Sequence, residues 1–248
     1  MNCAPPDLLQ FYDEDYLFFA DALTTPERTR NELEFISSAL HLREGAKVLD
    51  LGCGHGRIAN GLALRGVAVT GIDLVPLFIE KARFGAAELG VTAEFIVDDM
   101  RALDRESEFD AVLLWHYAFG YHSDADNRII MQAVVRALKP GGRLLLDQYN
   151  ISALARAGET YSVLDLGVDL VLQRPLWVIE QSRWGAERII VRGGVIRRAK
   201  FMCRCYSPIE LRTMAALAGF SEPSFMGDGY EPLRLDSTKQ IMLAAKPA

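Results

Sequence analysis

The chain has 248 residues, half of them apolar and 24% charged, enough for one large α/β domain or a domain with an insertion, and unlike a disordered or fibrous protein. Its 27 basic and 33 acidic residues leave a net charge of −6, whereas coating a nucleic acid demands a basic surplus. No apolar run approaches a membrane span, the start Met-Asn-Cys-Ala-Pro-Pro-Asp lacks export or transit features, and four cysteines fit reduced thiols, so a cytoplasmic setting is expected.

Residues 7–23 interleave Phe11, Tyr12, Tyr16, Phe18 and Phe19 with Asp7, Asp13, Glu14, Asp15 and Asp21. One or two short helices with an aromatic face are expected, and core packing accounts for most of these rings unless a pocket lies beneath them. Thr25-Pro26-Glu27 opens a helix to about Leu40, with Leu33, Ile36 and Leu40 on one stripe. From residue 46, strands at 46–51, 67–72, 94–97, 110–115 and 143–149 alternate with helices at 56–65, 76–89 and 126–138. That alternation predicts an α/β fold with a doubly wound, mostly parallel sheet, which holds its ligand at the carboxyl ends of the strands.

The periodicity changes after Asn150. Segments 176–184, 187–191 and 195–206 read as antiparallel strands, with Gly193-Gly194 turning between the last two. Ser207-Pro208-Ile209-Glu210 is a capping box for a helix to Gly219, and Phe225 and 239–245 read as closing strands. The expected organisation is a helical N-terminal lid (1–42), a core (43–150 and 207–248) and a mostly antiparallel insertion (151–206) over an acceptor pocket.

The glycine-rich turn Leu49-Asp50-Leu51-Gly52-Cys53-Gly54-His55-Gly56 follows a strand and precedes a helix. Such a turn alone is weak evidence, because many phosphate and nucleoside binders use one. Here Arg57 stands where the dinucleotide fingerprint needs its third glycine, and Asp50 would repel a pyrophosphate. An ammonium-bearing ligand has the opposite need. Asp73, ending the second strand, can accept both hydroxyls of a ribose, and Asp98-Asp99-Met100 ends the third, where a carboxylate and a thioether suit an adenine. Acids at three successive strand ends fit S-adenosylmethionine better than NAD.

With Gly71-Ile72-Asp73-Leu74, Phe109-Asp110-Ala111-Val112 and Leu138-Lys139-Pro140-Gly141-Gly142-Arg143-Leu144, these blocks resemble the class I S-adenosylmethionine-dependent methyltransferases over residues 46–150. The resemblance implies a seven-stranded Rossmann-like sheet with an antiparallel lid. It places Asp50, Gly52, Cys53, Gly54 and Gly56 at the methionine moiety, Asp73 at the ribose, and Leu74, Asp99 and Met100 at the adenine. A finer similarity, in Tyr12-Asp13, Pro26-Glu27-Arg28-Thr29, Phe119-Gly120-Tyr121 and Tyr206-Ser207-Pro208-Ile209-Glu210-Leu211, is to bacterial small-molecule methyltransferases of the lincosamide and amino-sugar N-methylating kind. It implies an amine acceptor in secondary metabolism, with O-methylation as the alternative.

Methyl transfer from a sulfonium mainly requires an aligned nucleophile and tolerates aromatic faces near the cation. Phe119 and Tyr121 are the candidate acceptor contacts after the fourth strand, Trp115 a cofactor contact, and Tyr12 and Tyr16 the cover. A hydroxyl acceptor needs a base, for which His116 and His122 are the candidates, with Asp147, Gln148 or Asn150 as polar partners. Cys203-x-Cys205 has no second ligand pair at zinc-site spacing, so two core-facing thiols are expected and no metal. Between Arg183 and Arg204, Arg183, Arg188, Arg192, Arg197, Arg198, Lys200 and Arg204 face the single acid Glu187. A solvated sheet face is the plain expectation; attraction of an anionic acceptor, or pairing with the acidic N-terminal segment of a second copy, is the functional one. The rival classes are an RNA or protein methyltransferase and a non-catalytic cofactor-binding module; no nucleic acid and no membrane partner is expected.

Overall fold

A computed structural model describes residues 8–248; the segment through Asp7, which carries the expectation about a leader, lies outside the described residues. The aromatic segment forms α1 (Leu8–Phe11) and α2 (Glu14–Leu23), the latter capped by the Asp13 carboxylate, which accepts the Tyr16 N–H at 2.9 Å. Next come α3 (Pro26–Ala39), β1 (Lys47–Leu51), α4 (Arg57–Ala63), β2 (Ala68–Asp73), α5 (Pro76–Leu89), β3 (Glu94–Val97), β4 (Phe109–Leu114), α6 (Asp124–Ala137) and β5 (Leu138–Tyr149). The remainder is α7 (Ile151–Ala157), β6 (Ser162–Asp165), β7 (Leu170–Val178), β8 (Arg183–Arg192), β9 (Val195–Arg204), α8 (Pro208–Ala218), β10 (Ser224–Met226) and β11 (Lys239–Ala245).

Seven strands form one sheet in the order β10-β11-β5-β4-β1-β2-β3. The pairs among β1 to β5 are parallel, and β11 runs antiparallel to both β5 and β10. Strand alternation divides the core between the two faces. Leu49, Leu51, Val112 and Leu114 pack under α6 and α8, while Val48, Ala111 and Leu113 pack with Leu33, Ile36, Leu62 and Ile79 of α3, α4 and α5. The strand order reverses at β1 and β4, so their carboxyl ends open a crevice where a doubly wound sheet binds its ligand.

A second, antiparallel sheet has the order β6-β7-β8-β9. It corrects the expected strands 176–184 and 187–191: β7 begins six residues earlier, 176–184 is not continuous, and β8 runs unbroken through 185–186. Val178 leads into a single 3-10 turn, Ser182 turns back with φ 48°, and β8 begins at Arg183. The helix α7 and the strand β6 lie in a stretch with no clear periodicity. No helix among the described residues is long and apolar enough to cross a membrane.

Candidate active site

The three glycines after β1 all have positive φ, and they do different things. A Cβ on Gly52 would meet the Ala118 Cβ at 2.7 Å, so this glycine lets the loop after β4 close over the turn. At Gly54 nothing lies within 4 Å of the Cβ position, which leaves bare backbone facing open space. Gly56 does not reach the cavity, and its expected cofactor contact is corrected here. Its Cβ would strike Ala82 on α5 at 2.7 Å, so Gly56 serves the packing of α4 on α5. Backbone N–H groups of Gly52 and Cys53 both donate to Ile72 O, at 2.7 and 3.1 Å, fastening the turn to β2.

Above this turn lies a cavity lined by Asp50, Gly52, Cys53, Gly54, Asp73, Leu74, Asp99, Met100 and Trp115, and by Tyr12, Tyr16, Tyr121, His116 and His122. Asp50 is buried and its side chain has no hydrogen-bond partner among the described residues. Burial, and then the charge of Asp73, push its carboxyl up to about 7. An acid held in that condition has room and need for a cation. Asp73 accepts the N–H groups of Gly54 at 2.8 Å and Val75 at 2.9 Å, and burial raises its carboxyl too. Asp99 enters the cavity already gripped by Arg101, whose Nη2 donates at 2.6 Å and holds the carboxyl below its usual range. Its oxygens are therefore shared with Arg101, a competition not anticipated for this carboxylate.

The stretch after β4 is strained. His116 and Tyr117 stand consecutively at φ 62° and 65°, conformations that cost non-glycine residues roughly 1–3 kcal/mol each. The buried Asp147 carboxylate compensates by accepting the Tyr117 N–H at 2.7 Å. Gly120, at φ 108°, then brings the chain against β9, where its carbonyl accepts the Arg204 N–H at 2.8 Å. These reversals turn Phe119 away from the cavity. It is 1% exposed and packs 5.8 Å from the Tyr206 ring in the core under α6 and α8, so the expected acceptor-contacting and catalytic role for Phe119 is corrected. Tyr121 does face the cavity, its hydroxyl bonded to that of Tyr12, and Tyr12 stacks edge-on to Tyr16 at 4.8 Å.

Residues 48–142 match the family profile described as methyltransferase domain. The chain is 36% identical over 139 residues to a ubiquinone biosynthesis O-methyltransferase of Xanthomonas euvesicatoria, covering 52% of this chain and 55% of that protein. It thus spans about half the length of such relatives. A ubiquinone biosynthesis O-methyltransferase of Chromobacterium violaceum is 31% identical over 196 residues, 76% of this chain and 70% of that one. The chain belongs to the class I S-adenosylmethionine-dependent methyltransferases. Similar folds include an S-adenosylmethionine-dependent methyltransferase from Clostridium acetobutylicum, with TM-score 0.79 and 16% identity, covering 97% of this chain and 98% of that one. The CcbJ methyltransferase from Streptomyces caelestis gives 0.77 and 23%, covering 91% and 98%. CalS10, an amino pentose methyltransferase from Micromonospora echinaspora involved in calicheamicin biosynthesis, gives 0.70 and 20%, covering 95% and 98%.

Of the two candidate bases, His116 is poorly placed. His116 Nε2 lies 3.0 Å from Arg28 Nη2, and a guanidinium can only donate, so Nε2 is already occupied as an acceptor. Burial, then the Arg57 charge, push this imidazole down to about 4. His122 stands at the other end, in the fields of Arg101, Asp99 and Asp126, and burial lowers it as well. His55, in the glycine turn, is likewise lowered by burial, and His41 is exposed. The expected polar partners are spent on backbone: Gln148 donates to Arg204 O at 2.9 Å, Asn150 donates to Ser237 O at 2.8 Å, and Asp147 holds Tyr117.

The basic run is paired with acids, while Arg197, Arg198 and Lys200 stay exposed as a solvated face would. Asp15, fully buried on α2, accepts Arg192 Nη1 at 2.8 Å and pairs with Arg197 as well. Arg188 lies over Phe11 at 4.3 Å and over Tyr16 at 5.2 Å. Glu187 gathers Arg174, Arg198 and Lys200, and Arg204 meets Asp124 and Glu210. The acidic segment that these cations meet is the chain's own. The buried Glu32 pairs with Arg28 at helical i,i+4 spacing within α3 and with Arg57 of α4, and only the second pair joins elements that no local spacing links. Cys203 and Cys205 are buried with their sulfurs 3.8 Å apart.

Proposed function

We propose that this enzyme transfers the methyl group of S-adenosylmethionine to an amine nitrogen of a small molecule. The bound cofactor supplies an activated sulfonium methyl. Asp50 faces its ammonium, Gly54 offers open backbone, Asp73 takes the ribose hydroxyls, and Leu74, Asp99 and Met100 bound the adenine. Tyr12, Tyr16 and Tyr121 bound the acceptor, with α1, α2 and α3 as a lid and the β6–β9 sheet as a roof.

The observation that carries the nitrogen is the occupied Nε2 of His116. An amine needs only to arrive unprotonated and can release its proton after transfer, whereas a hydroxyl needs a base. Burial holds the Tyr12 and Tyr121 phenols above their usual range, so they present neutral walls to such an amine. An amine acceptor in secondary metabolism also agrees with the name of CalS10, an amino pentose methyltransferase whose fold this chain shares along its length.

O-methylation is the second reading. The relatives at 31–36% identity are O-methyltransferases, and His122, neutral and with a buried Nδ1 lacking a partner, would be its base. Formation of S-adenosylhomocysteine with pooled amines, pooled phenols and alcohols, and RNA, followed by mass spectrometry of the products, tests both. Turnover confined to amines supports the reading, turnover confined to hydroxyls replaces it, and turnover on RNA alone or none at all removes the small-molecule reading.

A further inference from the structure

A second, more open cavity lies beside the first. Its walls carry Arg28 and Asn31 from α3, Asp147 from β5, Asp228 and Tyr230, and Lys239 from β11. Among the described residues, Tyr117 alone lines both cavities. The hydrogen bond from Arg28, on the second cavity, to His116, on the first, closes the adjoining stretch of wall.

We propose that Tyr117 is the partition that sets how long an acceptor this enzyme admits, and that Asp147 is the positioning residue that holds it in place. The Tyr117 ring lies flat on Tyr149, with centroids 3.9 Å apart and planes within 2°. Its backbone would leave the left-handed region if released, and the Asp147 Oδ1 contact at 2.7 Å is what restrains it. Asp147 is 1% exposed, with Lys239 Nζ at 3.8 Å beside its other oxygen. Tyr117 is thus held by ring and backbone, and the Asp147 that holds it is in turn faced by the Lys239 charge. The space behind it is polar and mixed in charge, so it suits a hydrogen-bonding extension of the acceptor, hydroxylated or ether-like, rather than an apolar tail.

The inference rests on the first cavity being the acceptor site, and its test reads binding and exchange, so a failure to methylate amines is a separate result. The probes are benzylamine and its para-tri(ethylene glycol) ether, titrated calorimetrically into enzyme saturated with S-adenosylhomocysteine. Tyr117→Ala should bind the ether at least about tenfold tighter than wild type does, with little gain for benzylamine, and Tyr117→Phe should behave as wild type. No gain for the ether, including no detectable binding, or an equal gain for both probes, overturns the partition. For Asp147, amide exchange of a peptide containing residues 115–118 should quicken at least about tenfold in Asp147→Ala at unchanged affinity for S-adenosylhomocysteine, and Asp147→Asn should restore most of the protection. Exchange that stays at the wild-type rate, or that quickens equally throughout the chain, overturns the positioning role.

Discussion

Arg28 Nη2 donates to His116 Nε2 at 3.0 Å, tying α3 to the residue after the fourth parallel strand. The bond consumes the lone pair that a general base would use, and burial keeps the imidazole neutral above about pH 4. His116→Ala should therefore keep turnover on an amine acceptor within about tenfold, since removing a true general base costs about 10²–10⁴-fold. The kcat/KM profile between pH 5 and 8 should keep its shape in this variant. A loss of a thousandfold with cofactor affinity intact would restore His116 as the base.

Asp50 makes cofactor binding depend on pH. Its carboxyl titrates near 7 in the folded protein, against an ordinary value of about 4. Since the folded state then holds the proton more tightly, the stabilising contribution is present below about pH 4 and is lost as pH rises through about 7. Binding an ammonium requires the ionised form. Affinity for S-adenosylhomocysteine should fall about tenfold per pH unit below 7 and level off above it, and calorimetry at pH 7 in buffers of different ionisation enthalpy should find about half a proton released. Asp50→Asn should bind about 10- to 100-fold more weakly and lose the pH slope. An affinity in the wild type that ignores pH would contradict the assignment.

The parallel sheet was legible because each of its strands is a short apolar run bounded by turn residues, and the acids at the strand ends mark the ligand side. The insertion was less so. The turn at 179–182 contains neither glycine nor proline, so the end of β7 and the start of β8 read as one strand. Phe119 misled for a related reason: two non-glycine residues at positive φ and then Gly120 reverse the chain, and no side-chain alternation survives such reversals. The outer members of the basic run are solvated as expected, whereas its pairing with Asp15 was not legible, because Asp15 lies 177 residues before Arg192 and only the tertiary fold brings them together.

That long-range pair should latch the N-terminal helices. Asp15 is fully buried, whereas the Arg192 and Arg197 side chains remain 34% and 53% exposed. Removing one partner of a buried pair costs about 3–5 kcal/mol, and the exposure of the arginines reduces this to roughly 2–3 kcal/mol here. Arg192→Ala with Arg197→Ala should release α1 and α2 without unfolding the sheets, because the carboxylate can reach water once its helix lifts. Limited proteolysis should then cut between residues 8 and 24 at least about tenfold faster, with a shift in Tm of only a few degrees. Unchanged proteolysis would mean that the aromatic contacts of Phe11 and Phe19 hold the helices unaided.

The two glycines at 54 and 56 separate binding from folding by the same substitution. Both have positive φ, so alanine strains the backbone at each by roughly 1 kcal/mol. Gly54→Ala adds a methyl group to open space in the cavity, where it meets no protein atom within 4 Å. That variant should fold, with Tm lowered by only a few degrees, and bind S-adenosylhomocysteine at least about tenfold more weakly. Gly56→Ala drives its methyl into Ala82, 2.7 Å from the Cβ and 3.0 Å from the Cα of a helix backbone that cannot yield cheaply. Overpacking of this kind costs about 1–3 kcal/mol beyond the strain, so its Tm should fall by several degrees more than that of Gly54→Ala. Thermal melts with and without one fixed concentration of S-adenosylhomocysteine distinguish the two, because the ligand should raise the Tm of Gly56→Ala as much as that of the wild type and raise that of Gly54→Ala by clearly less. The reverse pattern would exchange the roles assigned to the two glycines.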